Sequence, residues 1–215
     1  MNVSQEAPKR MSQDQVSFLE RLTQLARRMS RFAVWVGGAL TLASVLLITY
    51  EVIARRFFGV SMGGADELSG YAFAISVTWA FAFTVLERAN VRIDVLYQYL
   101  PTRLKAVLDW LSLVALGVFA VYLSYYGSFV ALTSWDQNSA ANTPLATPLW
   151  IPQTMWAIGL AWFVAVLALM LVRTSAALVT GDLALIQTLA GMKTAAEEAD
   201  EGAAEGERLV RAEQR

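Results

Sequence analysis

Histidine and cysteine are both missing from this 215-residue chain. Without cysteine there is no disulfide, no thiol nucleophile and no ligand set for an iron–sulfur cluster, and the redox compartment leaves no mark on the sequence. Without histidine the usual haem ligand and the usual general base are gone. Four-helix membrane proteins that carry electrons through haem, or exchange thiols through Cys-x-x-Cys pairs, are thereby excluded. Charge is the other shortage. Only 16% of residues are Asp, Glu, Lys or Arg, against about a quarter in a soluble domain. The net charge of −1 offers no basic field for nucleic acid, so none is expected as a partner.

What fills the gap is hydrophobic residues, 56% of the chain, gathered into long blocks. A helix needs about 20 apolar residues to cross the hydrocarbon core. Four stretches qualify, at about 32–54, 67–86, 106–134 and 149–172. Buried helices of a soluble bundle would keep a polar stripe, and these do not. The expected fold class is an all-α integral membrane protein with four transmembrane helices. Three regions follow: a partly amphipathic N-terminal segment (1–31), a four-helix membrane domain (32–175) and an Ala/Glu-rich tail (176–215). No cleaved signal peptide is expected, because some thirty polar residues precede a block long enough to span.

Lys and Arg set the orientation. With four spans, one side receives fifteen of the seventeen basic residues, from Lys9 to Arg31, from Arg88 to Lys105, and from Arg173 to Arg215. The opposite side receives only Arg55 and Arg56. Both termini are therefore expected in the cytoplasm, and the 135–149 connection, which lacks Lys and Arg, outside.

The segments between spans carry their own signals. Phe18, Leu22, Leu25 and Met29 recur at helical spacing among arginines. They suit an interfacial helix or a plain extension of the first span, which periodicity does not separate. VRIDVLYQYLP, residues 91–101, is too short and polar to span. A lone strand there would leave its backbone unpaired, so a short interfacial helix is expected between the second and third spans. Pro101 ends it, and Thr102 is placed to cap the next helix. Pro144, Pro148 and Pro152 predict a stiff, mostly extended outer loop between the anchors Trp135 and Trp150. The tail from Lys193 reads as a frayed helix or a disordered segment.

Transport sites in membranes need ionisable groups or broken helices near mid-membrane. No charged residue lies near the middle of any span. Glu51, Asp66, Glu67 and Asp109 stand at span ends, where water or headgroups are expected to solvate them. Each span instead carries small residues every four positions: Ala33, Gly37 and Thr41; Ala72, Ser76, Ala80 and Thr84; Ala120, Ser124 and Ser128; Ala157, Ala161 and Ala165. Such rows let helices approach closely in lipid. The most specific cluster is at the first turnaround: Glu51, Arg55, Arg56, Asp66 and Glu67. Glu51 and Arg55 can pair at i,i+4, and Asp66 and Glu67 start a helix whose dipole favours acids. The cluster reads either as a staple between two spans or as a docking contact for another subunit.

From Glu51 to Pro101 the sequence also resembles a known family. RRFFG follows the first span, ADELSGYAFAISVTWAFAF forms the second, ERANVRIDVLYQYLP comes next, and the outer loop ends in TPLWIP. In this order they resemble the small, DctQ-like membrane subunit of tripartite ATP-independent periplasmic (TRAP) transporters. The likeness covers most of residues 32–175. It implies a bacterial inner-membrane protein that is an accessory or scaffold and not an enzyme. The implied partners are a large multi-span membrane subunit, a periplasmic substrate-binding protein and membrane lipid. The implied process is import of an organic-acid-like solute on an ion gradient, commonly sodium. Sodium is expected to bind the large subunit, and no cofactor is expected in this chain. The competing expectation is a stand-alone four-helix transporter or channel, for which Thr49, Ser76, Thr78, Ser124 and Ser128 are the only polar candidates.

Overall fold

The computed structural model describes residues 13–89, 99–191 and 195–213. Four helices are long and apolar enough to cross a membrane, and no strand occurs among the described residues. The helices are α1 (Gln13–Ile53), α2 (Ala65–Leu86), α3 (Thr102–Asp136) and α4 (Trp150–Thr180), followed by the shorter α5 (Leu183–Ala190) and α6 (Ala195–Glu213). The expected surface helix at 91–101 falls largely outside the described residues, which resume at Tyr99.

The α1 helix has 41 residues and is about 62 Å long. It runs from the amphipathic N-terminal stretch into the first span without a break, so that stretch is a continuation of the span. A single π-turn, Ala54–Phe58, closes it, and Gly59 then supplies the left-handed conformation (φ 65°) that ends the helix. Helix α2 also ends on a left-handed residue, Arg88 (φ 56°), with its amide bonded back to Val85. That position is usually glycine, so an arginine there carries no signal of a helix end. Pro101 is the N-cap of α3, and Thr102 is already inside the helix with no capping bond. Pro152 sits in the first turn of α4, where a missing N–H costs nothing.

The four spans form a row. α1 packs on α2, α2 on α4, and α4 on α3, while α1 touches α4 only slightly. The fourth span, with a neighbour on either side, is the most buried, at 39% of its apolar window against 17% in the first. The sequence motifs map onto the seams unevenly. Gly37 lets α1 approach α2, where the Ser76 hydroxyl donates to its carbonyl oxygen at 3.0 Å. Gly159 does the same for α4 on α2, since a Cβ there would stand 2.8 Å from both Thr78 and Trp79. The row Ala157, Ala161 and Ala165 is not a seam: Ala157 is buried, but Ala161 and Ala165 face outward. The packing face of α4 runs instead through Leu160, Phe163, Leu167, Met170, Thr174 and Ala177. On α3 the seam has a heptad period, Ala106, Leu113, Ala120, Gly127 and Ser134, as left-handed helix pairs require.

One end of the row holds the 59–64 turn and the 137–149 loop; the other, the terminal end, holds the first turns of α1 and α3 and the last turns of α2 and α4. At the terminal end polar bonds tie the helices. Arg27 on α1 pairs with Glu87 after α2 (3.3 Å) and also reaches the Leu86 carbonyl. Arg173 on α4 donates to Thr23 on α1 (2.9 Å), and Trp110 on α3 donates to Ser175 on α4 (2.8 Å). Asp109, expected in contact with water, is buried here at 1% exposure. Helix α5 folds back onto α3 and α4, burying Ile186 against Ala106 and Ala177. Asp182 caps it through the Leu185 amide, and Arg88 donates to its Gln187 carbonyl. Residues 176–190 are thus packed against the spans. Ala195–Glu213 is a helix with an exposed Arg211–Glu207 pair.

Candidate functional site

The charged cluster lies at the loop end, around a small pocket of about 260 Å³ lined by Glu51, Arg55, Asp66 and Glu67. Arg56 does not line it. The five residues do not form one network. Glu51 is almost fully buried and saturated: one oxygen accepts from Arg55 at 2.9 Å and from the Ser61 hydroxyl, the other from the Met62 amide at 2.9 Å. Three donors on a carboxylate hold the 59–64 turn down on the last turn of α1. Burial of Glu51 overturns its expected contact with water. The Arg55 side chain remains 61% exposed.

Glu67 performs a second, separate task. One oxygen accepts from Tyr71 at 2.9 Å, one turn along α2, and the other from Thr143 in the distant loop. Thr147 lies against the same carboxylate. The loop packs beside it: a Cβ on Gly63 would stand 3.4 Å from Pro144, and any side chain on Gly64 would overlap Leu145. The loop itself is folded back, with a single antiparallel bridge between Ala140 and Pro148 and an edge-to-face contact of Trp135 on Trp150 at 4.6 Å. It is more compact than the extended loop its prolines suggested. Arg56 and the Asp66 carboxylate have no hydrogen bond or ion pair among the described residues, and both are exposed.

The residues that sequence reasoning missed are Ser61, Met62 and Thr143. A serine ten residues after Glu51 carries no period, and a backbone amide carries no sequence signal at all. No group of His, Cys, Asp and Glu that could hold a metal exists among the described residues. Four of the five hydroxyls weighed for a polar path turn onto their own helices, Thr49 to Val45, Ser76 to Ala72, Thr78 to Ala74 and Ser128 to Ser124, at 2.6–3.0 Å, and Ser76 is shared with Gly37 of α1.

A second surface has unusual chemistry. Tyr122, Tyr125 and Tyr126 project from α3 opposite its buried Ala120 seam, at 63%, 66% and 48% exposure. They touch one another edge to face or tilted. Their hydroxyls have no hydrogen-bond partner among the described residues. They sit midway along the apolar stretch from Trp110 to Trp135, whereas tyrosines that meet lipid cluster at its edges.

Residues 44–177 match the family model described as "Tripartite ATP-independent periplasmic transporters, DctQ component". The chain belongs to this family. No curated protein and no solved structure matches it. The match covers the loop-end cluster, the tyrosine face, all of the second and third spans and the fourth up to Ala177. As a DctQ component the chain is a multi-pass transmembrane protein and the small subunit of a TRAP transporter, a transporter component by family.

Proposed function

We propose that this DctQ component braces a large membrane subunit and carries no solute or coupling ion itself. Together with that subunit and a periplasmic substrate-binding protein it serves import of an organic-acid-like solute on a sodium gradient. Sodium and solute bind the large partner, and this chain performs no catalysis. It resides in the bacterial inner membrane with both termini in the cytoplasm, as the fifteen-to-two division of basic residues argues.

The observation that carries the reading is the tyrosine face of α3. A hydroxyl in hydrocarbon without an acceptor costs about 2 kcal/mol or more. Three of them together at mid-span are stable only beside a protein surface that offers acceptors. The large subunit is the partner with helices at that depth. The exposed Arg56 and Asp66 charges add a polar contact at the periplasmic rim.

The test is reconstitution. The isolated chain in vesicles with an inward sodium gradient should take up no organic acid, and co-expression with the large subunit should yield a complex. Gradient-driven uptake by the isolated chain would refute the reading.

A further inference from the structure

An apolar groove of about 700 Å³ opens where α1 and α4 diverge. Phe32 and Val36 of α1, Ile75 and Trp79 of α2, and Met155 and Trp162 of α4 line it. Two indole N–H groups fix its walls, Trp162 to the Ser30 hydroxyl and Trp79 to the Met155 carbonyl, both at 3.1 Å. Its terminal-end mouth is Arg28, an exposed guanidinium with no ion pair among the described residues.

We propose that this groove is a binding site for one anionic phospholipid of the cytoplasmic leaflet, with an acyl chain along the helices and the phosphate on Arg28. Two observations select this occupant. The first is length: from Arg28 to Leu40, both lining residues, α1 rises about 18 Å, close to the roughly 15 Å depth of one leaflet's hydrocarbon. The second is charge. The planar fork of an arginine matches a phosphate with two parallel hydrogen bonds, and basic pockets between spans on the cytoplasmic side suit anionic headgroups. Naming the leaflet rests on the orientation proposed above; the site itself does not.

Native mass spectrometry of the purified full chain in mild detergent tests this, with phosphatidylglycerol and phosphatidylethanolamine supplied in equal amounts. The wild type should retain phosphatidylglycerol several-fold over phosphatidylethanolamine. Arg28→Ala, a change at an exposed residue without partners, should bring the two to parity. Val36→Trp should fill the groove and abolish retention of both. Equal retention of the two lipids by the wild type, or an unchanged preference in Arg28→Ala, overturns the proposal. So does a Val36→Trp chain that keeps its lipid but no longer co-purifies with the large subunit, since the groove would then seat a partner helix. The assay is blind to orientation, so reversed topology in reporter fusions would change only the leaflet.

Discussion

Ser76 on α2 and Gly37 on α1 meet where two backbones come closest: the serine hydroxyl lies 3.0 Å from the glycine carbonyl oxygen. A Cβ on Gly37 would stand 3.3 Å from the Ser76 Cα. Gly37→Leu should therefore separate the helices and cost about 1–3 kcal/mol. Ser76→Ala should cost about 0.6 kcal/mol, the usual worth of such a bond in lipid. Unfolding of the purified chain in mixed micelles reads both, and a Gly37→Leu loss no larger than that of Ser76→Ala would show that the seam is loose.

The cluster at the other end separates three residues that look equivalent in sequence. Glu51→Ala leaves Ser61, Met62 and Arg55 without their common acceptor and should expose the 59–64 turn to protease. Arg55→Ala removes one half-solvated partner, at about 0.5 kcal/mol or less. Arg56→Ala should leave stability unchanged, yet weaken co-purification with a partner if the rim is a contact. Limited proteolysis and melting curves rank the three; equal effects would contradict the division of roles.

Replacing Tyr122, Tyr125 and Tyr126 by leucine should not lower the stability of the isolated chain, since it removes three hydroxyls without a partner among the described residues. Recovery of the large subunit in a pull-down should fall by about tenfold, the equivalent of about 1.4 kcal/mol. Unimpaired recovery would place the partner on another face.

Reporter fusions after Lys193 and within 139–143 should report cytoplasm and periplasm respectively. A periplasmic signal from the Lys193 fusion would reverse the topology.

Much of this fold was legible because lipid imposes a simple rule. Length and apolarity identify spans regardless of what they touch, so the four spans stood out clearly. Seams were less legible. Small residues at four-residue spacing marked Gly37 and Ser76 correctly, but Ala161 and Ala165 have the same spacing and face outward, because an alanine is equally acceptable to lipid and to a helix. The pairing of Glu51 with Arg55 followed from helical geometry; its bonds to Ser61 and Met62 could not, since they depend on how a turn folds back. The burial of Asp109 was likewise hidden, being set by where α3 lies against its neighbours.

The order of the row has a consequence for biosynthesis. Neighbours in the chain are neighbours in space within each half: α1 with α2, then α3 with α4. Each half can leave the translocon as a finished hairpin. The α2–α4 seam, centred on Gly159 against Thr78 and Trp79, joins early-made protein to late-made protein, together with the Arg173–Thr23, Trp162–Ser30, Arg88–Gln187 and Thr143–Glu67 bonds. The last assembly event is thus a meeting of two preformed units in the plane of the bilayer. Two fragments, 1–89 and 90–215, synthesised separately in one cell, should therefore assemble through that meeting.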